Sequence, residues 1–316
     1  MNAATKSRAH LVERAVEAMS GDGALGTRPP PVSPPPAPPE PPRTQAASSP
    51  APSTAPAATA AAPAAPARPA ISLETMAEAG LVVPPVGTSR SRLSEEIAVV
   101  QHAVLRTLKT TRSTDGRCDR IIMVTSAKPG EGKTFMSLNL ATSLAISGTR
   151  PVVLVDCDGK QLSISRLLGC AEQPGLRALA SEQTRLPPAQ LVPTAVERLS
   201  LLPYGELPAG SPAIAPGQLV AAALLRLAAS LPNHLIVLDT PPCLSTSDPG
   251  ALATIAGQVL MVVEAEHTQR NEVEAALDMV EACPTLQLVL NRAVLTPNDT
   301  FGAYGGYDSY AAAETE

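Results

Sequence analysis

The sequence predicts an α/β fold with a mostly parallel sheet and helices on both of its faces, and three observations carry that prediction. Between residues 121 and 290, short runs that are apolar nearly throughout alternate with amphipathic helical stretches. Strands covered on both faces read this way, and strand–helix alternation builds a parallel sheet. The first of these strands runs through the turn AKPGEGKT into a helix, and aspartates stand at the ends of two later strands. Ligands in such sheets bind beyond the carboxyl ends of the strands, where these residues gather.

Taken in order, Thr5–Met19 places Leu11, Val12, Ala15, Val16 and Met19 at helical spacing, which predicts an amphipathic helix within residues 1–26. Residues 27–70 are almost entirely Pro, Ala, Ser and Thr. Such a composition buries too little apolar surface to offset its ordering entropy, so a disordered, semi-extended linker is expected. Order resumes at Ile71, with Ser72 capping a short helix through Ala79 that Gly80 closes. A longer helix follows from Ser91 to about Thr110, its buried stripe drawn from Leu93, Ile97, Val100, Val104 and Leu108. The strands are Ile121–Thr125, Pro151–Val155, Leu199–Leu202, Leu235–Leu238, Val259–Val263 and Leu286–Leu290. Between them Met136, Leu140 and Leu144 mark one helix ending at Gly148. Leu219, Val220, Leu224, Leu227 and Leu231 mark another, and Val273, Leu277 and Val280 a third, stopped by Pro284. Residues 71–300 thus form one domain, followed by a flexible tyrosine-containing tail, 301–316.

Composition narrows the function classes. Of the 316 residues 34 are proline, concentrated before residue 70, so roughly 230 remain to build a core, ample for one domain. A net charge of −5 gives no reason to expect nucleic-acid binding. No apolar run approaches the ~18 residues that cross a bilayer, and a cytosolic protein is expected. The five cysteines lack the close pairs of zinc sites or redox dithiols and read as reduced and packed.

The turn between the first strand and its helix reads as a phosphate-binding loop. Binding a polyphosphate needs backbone N–H groups free to converge, a cation beyond them and a small hydroxyl for Mg²⁺. Gly130 and Gly132 allow the backbone path, Lys133 reaches the terminal phosphates, Thr134 can hold the metal, and the helix start adds its partial positive charge. Ala127 stands where the usual G-x-x-x-x-G-K-[ST] pattern has glycine. Asp156 and Asp158 end one strand and Asp239 another, supplying carboxylates for Mg²⁺ and for accepting a proton. The tail, FGAYGGYDSY, holds Tyr304, Tyr307 and Tyr310, three of the four tyrosines in the chain, separated by glycines. Such a tail suits phosphorylation.

Together AKPGEGKT, VVLVDCD, LIVLDTPP and the tyrosine cluster resemble the bacterial protein-tyrosine kinases of exopolysaccharide synthesis, P-loop NTPases of the MinD/ParA superfamily. The Pro/Ala linker and ISLETMAEAGLVVP are similar, more narrowly, to the autokinases of exosortase-associated loci. The resemblance implies that Ala127, Lys128, Pro129, Gly130, Glu131, Gly132, Lys133, Thr134 and Phe135 cradle ATP, with Asn291 at the adenine. It implies catalytic roles for Lys133, Asp156, Asp158 and Asp239, a Mg²⁺ site of Thr134, Asp158 and Asp239, and Tyr304, Tyr307 and Tyr310 as acceptors offered by a neighbouring subunit. It also implies self-association as a ring or dimer, and a membrane-embedded chain-length (co-polymerase) partner that would hold this cytoplasmic protein at the inner membrane. Three departures stand against the family pattern. Ala98 and Val99 replace the first arginine of an E-x-x-R-x-x-R helix, Gly159-Lys160-Gln161 replaces an Arg-Pro, and Gly257 replaces an acidic residue. Two other classes fit parts of the pattern: a MinD/ParA-like ATPase switch, and a nucleotide-binding scaffold without phosphotransfer.

Overall fold

A computed structural model describes residues 70–84, 91–110, 116–160, 162–182, 184–206 and 217–294. The expected N-terminal helix, the linker and the three tail tyrosines lie outside the described residues.

The described elements begin with α1 (Leu73–Glu78) and α2 (Arg92–Thr110), then β1 (Cys118–Ser126), α3 (Lys133–Ser147) and β2 (Val152–Asp156). Two short helices, α4 (Ile164–Leu167) and α5 (Leu176–Ser181), lead to β3 (Val192–Pro193) and β4 (Leu199–Leu202). The second half runs α6 (Gly217–Ser230), β5 (Leu235–Asp239), α7 (Asp248–Ala253), β6 (Ala256–Glu264), α8 (Arg270–Met279) and β7 (Leu286–Asn291). The seven strands lie in the order β3-β4-β2-β5-β1-β6-β7. Every pairing is parallel except the two-residue β3 against β4.

Alternation along the strands explains how both faces are covered. Ile122, Val124, Leu154, Val237, Leu260 and Val262 share one cluster with Ile97 and Val104 of α2 and with Met136, Leu140 and Leu144 of α3. The intervening Ile121, Met123, Val153, Val155, Ile236, Leu238, Val259 and Met261 are as deeply buried, on the face where α6 and α7 contact β1 and β6. Fully burying a side chain of this kind contributes about 1.5–3 kcal/mol, so this two-sided sheet is the main stabilising element. Arg120 finishes α6 in place of a glycine cap: its guanidinium donates to the carbonyls of Ala228, Leu231 and His234 at 2.8–2.9 Å.

The helix preceding β1 departs from expectation at its start. Ile97 and Val104 are buried, but Leu93 is 41% exposed and the stripe is completed by Gln101. Gln101 accepts from Ser143 Oγ at 2.7 Å and donates to Ser147 Oγ, so polar side chains fix α2 on α3. Asn139 of α3 fixes the segment after α1 in the same way, accepting from the N–H groups of Val82 and Val83 and donating to the carbonyls of Gly80 and Phe135. Gly257, the missing acidic residue, has a steric cause: a Cβ there would lie 2.6 Å from the Asp119 backbone of β1. The cysteines are free, four buried and Cys118 partly so, as read from their spacing.

Candidate active site

Sheet order brings the three chemistry-bearing strand ends together. In register, Val124 of β1 pairs with Asp239 of β5, and Asp239 with Asp156 of β2. The chain leaves β1 at Ser126, forms the loop Ala127–Gly132 and enters α3 at Lys133, directly above those two ends. Gly130 and Gly132 have φ of 90° and 97°. Gly132 has a second constraint, because a Cβ would come within 2.2 Å of the Asn291 amide at the end of β7.

Lys133 Nζ lies 2.7 Å from Asp158 Oδ2, in a pair whose side chains are only 12% and 6% exposed. Its other polar neighbour is the Thr134 hydroxyl at 3.3 Å. Asp158 Oδ1 is buried without a hydrogen bond, with the Lys160 ammonium 3.8 Å away. Asp158, Lys133 and Thr134 thus share one mouth.

Asp156 and Asp239 are both fully buried but differ in every other respect. Asp156 Oδ1 accepts from the N–H groups of Asp158 (2.9 Å) and Gly159 (3.3 Å). Its Oδ2 accepts from the N–H of Ser165 at 3.0 Å and from the Ser165 hydroxyl. Ser165 in turn accepts from Tyr204 N at 2.9 Å. Asp156 is therefore saturated within the turn that leads from β2 into α4 and presents Asp158. Asp239 accepts one hydrogen bond, from the Ser137 hydroxyl 3.2 Å from Oδ1, and that hydroxyl also donates to the Lys133 carbonyl at 2.8 Å. One proton serves one of the two at a time. Asp239 Oδ2 has no hydrogen bond at all. Burial pushes its pKa up to about 7, with the Lys133 charge pulling down against it. The Thr134 hydroxyl beside it also pulls the pKa down.

Asp239 Oδ2, Asp158 Oδ1 and Thr134 Oγ1 form an oxygen donor set suited to a hard divalent cation. Mg²⁺ takes one or two carboxylates and completes its shell with phosphate oxygens and water. Among the described residues no group of three or more His, Cys, Asp or Glu is arranged to hold a metal. The residues fit the ion, and the unpartnered buried oxygen of Asp239 is the strongest sign of it.

The rest of the loop is held from within the chain. Glu131 is 1% exposed and turned inward: Oε2 accepts from the Lys128 N–H at 2.7 Å and Oε1 from the Thr268 hydroxyl. Asn291 Nδ2 donates to the Glu131 carbonyl at 2.8 Å, so this residue, expected at the adenine, here braces the loop. Lys128 Nζ pairs with Glu272 of α8 at 2.8 Å, and Glu272 also closes the capping box of that helix. Phe135 packs against Gly80. The motifs did not mark Ser137, Ser165 or Thr268. Ser137 alone had a readable signal, one helical turn beyond Lys133 on the same face.

A strand, a glycine-bearing loop, an invading lysine and a helix start at the carboxyl edge of a parallel sheet define a P-loop nucleotide-binding protein. A family model described as ParA, NUBPL iron-transfer P-loop NTPase, matches residues 117–302. The chain belongs to this ParA family of P-loop NTPases. Curated relatives of the chain include bacterial tyrosine-protein kinases. It is 26% identical over 216 residues to the tyrosine-protein kinase YwqD of Bacillus subtilis, covering 66% of this chain and 87% of that one. It is 28% identical over 202 residues to the tyrosine-protein kinase wzc of Salmonella typhimurium, covering 63% of this chain but 26% of that one. The chain thus spans most of the first and about a quarter of the second. The kinase domain of the Escherichia coli tyrosine kinase ETK shares the fold, with a TM-score of 0.51, 22% identity, and coverage of 64% of this chain and 78% of that domain.

Proposed function

We propose that the chain is an ATP-dependent protein-tyrosine autokinase that uses Mg²⁺ and phosphorylates Tyr304, Tyr307 or Tyr310 of a neighbouring copy. One observation carries the reading: Lys133, Thr134, Asp158 and the unpartnered oxygen of Asp239 converge at the mouth of a phosphate-binding loop. In this reading the backbone of Ala127–Thr134 binds the phosphates, and Lys133 leaves Asp158 for the terminal phosphoryl group. Thr134, Asp158 and Asp239 hold Mg²⁺, which when bound neutralises charge on the phosphate oxygens. Asp158, released from Lys133, accepts the phenolic proton as the tyrosine oxygen bonds to the γ-phosphorus and ADP leaves. A phenol has an unperturbed pKa of about 10 and is mostly un-ionised at neutral pH, so such an acceptor is needed. Asp156, whose lone pairs are committed to its turn, positions Asp158 and takes no proton itself.

The biological setting follows from the motif resemblance. Phosphorylation would regulate exopolysaccharide polymerisation and export, alongside a membrane-embedded chain-length protein and through self-association. Among the described residues no helix is long and apolar enough to cross a membrane.

The MinD/ParA-like ATPase switch would need a water in place of the phenol at the γ-phosphate. Lys128, the residue that would act across a dimer in such a switch, is paired within its own chain to Glu272. Incubation with γ-labelled ATP and Mg²⁺ separates the readings, comparing the intact chain, Lys133→Met and a chain ending at Pro297. Label on the intact protein that is lost in both variants supports the kinase. Phosphate release that survives removal of the tail identifies the ATPase, and neither signal leaves only the scaffold.

A further inference from the structure

Glu131 sits inside the phosphate-binding loop with its carboxylate facing away from the loop mouth, almost wholly buried. A negative charge beneath a polyphosphate site opposes the ligand, so its retention needs a reason other than direct contact. Its contacts supply one. Through Oε2 it closes the loop on itself at the Lys128 N–H, and through Oε1 it reaches the Thr268 hydroxyl, 137 residues away in the chain, in the turn between β6 and α8. The Asn291 amide holds the carbonyl of the same residue at 2.8 Å. The two outer anchors are themselves joined, since Ala265 N donates to Asn291 O at 2.9 Å and Thr268 N to Glu264 O at 3.1 Å.

We infer that Thr268, acting through the Glu131 side chain, is a positioning residue for nucleotide binding: the pair forms a strut that sets the loop's backbone before the phosphates arrive. Backbone N–H groups contribute to phosphate affinity only when they already converge, because ordering them at the moment of binding subtracts from affinity. A separate bond, from the Asn291 amide to the Glu131 carbonyl, ties the same loop residue to the end of β7.

This inference rests on the kinase reading, and direct nucleotide binding separates the two. Titrating ADP with Mg²⁺ into the full chain by calorimetry, Thr268→Val, which keeps shape and loses the hydroxyl, should bind roughly tenfold more weakly. In the label-transfer assay KM for ATP should rise by a similar factor while kcat changes less than about twofold, the signature of lost binding common to ground and transition states. Thr268→Ser should restore both. Thermal unfolding without nucleotide monitors folding; if Thr268→Val unfolds prematurely, Thr268→Ala, which also removes the hydroxyl and leaves Glu131 in place, carries the same test. Equal ADP binding by wild type and Thr268→Val, or failure of Thr268→Ser to rescue, would overturn the strut alone. No ADP binding by the intact chain would overturn the kinase reading and the strut with it.

Discussion

Two aspartates end adjacent parallel strands in register, equally buried, and are held in opposite ways. Asp156 accepts four hydrogen bonds, two from the turn after β2 and two from Ser165 of α4, while Asp239 accepts one, from Ser137, and none at Oδ2. A buried carboxylate costs several kcal/mol unless compensated, so Asp156 is built for stability and Asp239 is held at the expense of stability. The difference separates an aspartate that shapes a site from one that, in the proposed mechanism, contacts the cation.

The largest expected effect tests Asp239. Asp239→Asn should lower phosphotransfer by about 10³-fold, the loss typical of a group aimed at developing charge. The same variant should be more resistant to urea than wild type at pH 8, because it removes an uncompensated buried charge. A variant that is inactive and also less stable would contradict the comparison.

Asp156→Asn should do the reverse. Its amide must face the Ser165 N–H or the Asp158 N–H, leaving a buried donor against a donor, at a cost of about 3 kcal/mol in urea unfolding at pH 7. ADP binding by the folded fraction should fall less than in Asp239→Asn, since Asp156 touches no ligand.

The pH dependence sharpens the contrast. Asp239 is raised from 3.8 to about 7, so the folded state holds an extra proton between those values. Its contribution to stability is therefore present at low pH and declines as pH rises toward 7. Activity runs the other way, because the cation needs the ionised carboxylate. Label transfer should drop about tenfold per unit as pH falls below 7, with Mg²⁺-dependent nucleotide binding releasing a proton near neutrality. A flat profile between pH 5.5 and 8 would show that Asp239 does not titrate in the site.

The smallest effect concerns Ser137. Ser137→Ala removes the hydroxyl that donates to Asp239 Oδ1 and should shift the activity midpoint upward by a few tenths of a pH unit, leaving the maximal rate within about twofold.

Much of this was legible in the sequence. Continuous apolar runs separated by helical stretches predicted the parallel sheet, and the loop at residues 127–134 and the aspartates at 156, 158 and 239 lie at its carboxyl edge as that topology requires. Local pattern could not distinguish the two buried aspartates, because what divides them is Ser165, placed by a four-residue helix with no periodicity of its own. The strut was hidden for a related reason: Thr268 and Glu131 meet only once β6 and β1 pair. Leu93 misled because a helical stripe continues past the edge of the body it packs on.

Phosphopeptide mapping after incubation with Mg²⁺ and ATP addresses the central claim most directly. Phosphate should appear on Tyr304, Tyr307 or Tyr310 in wild type and be absent from Asp239→Asn handled identically. Equal tyrosine phosphorylation in Asp239→Asn, or free phosphate released by wild type with the tail unmodified, would contradict the account.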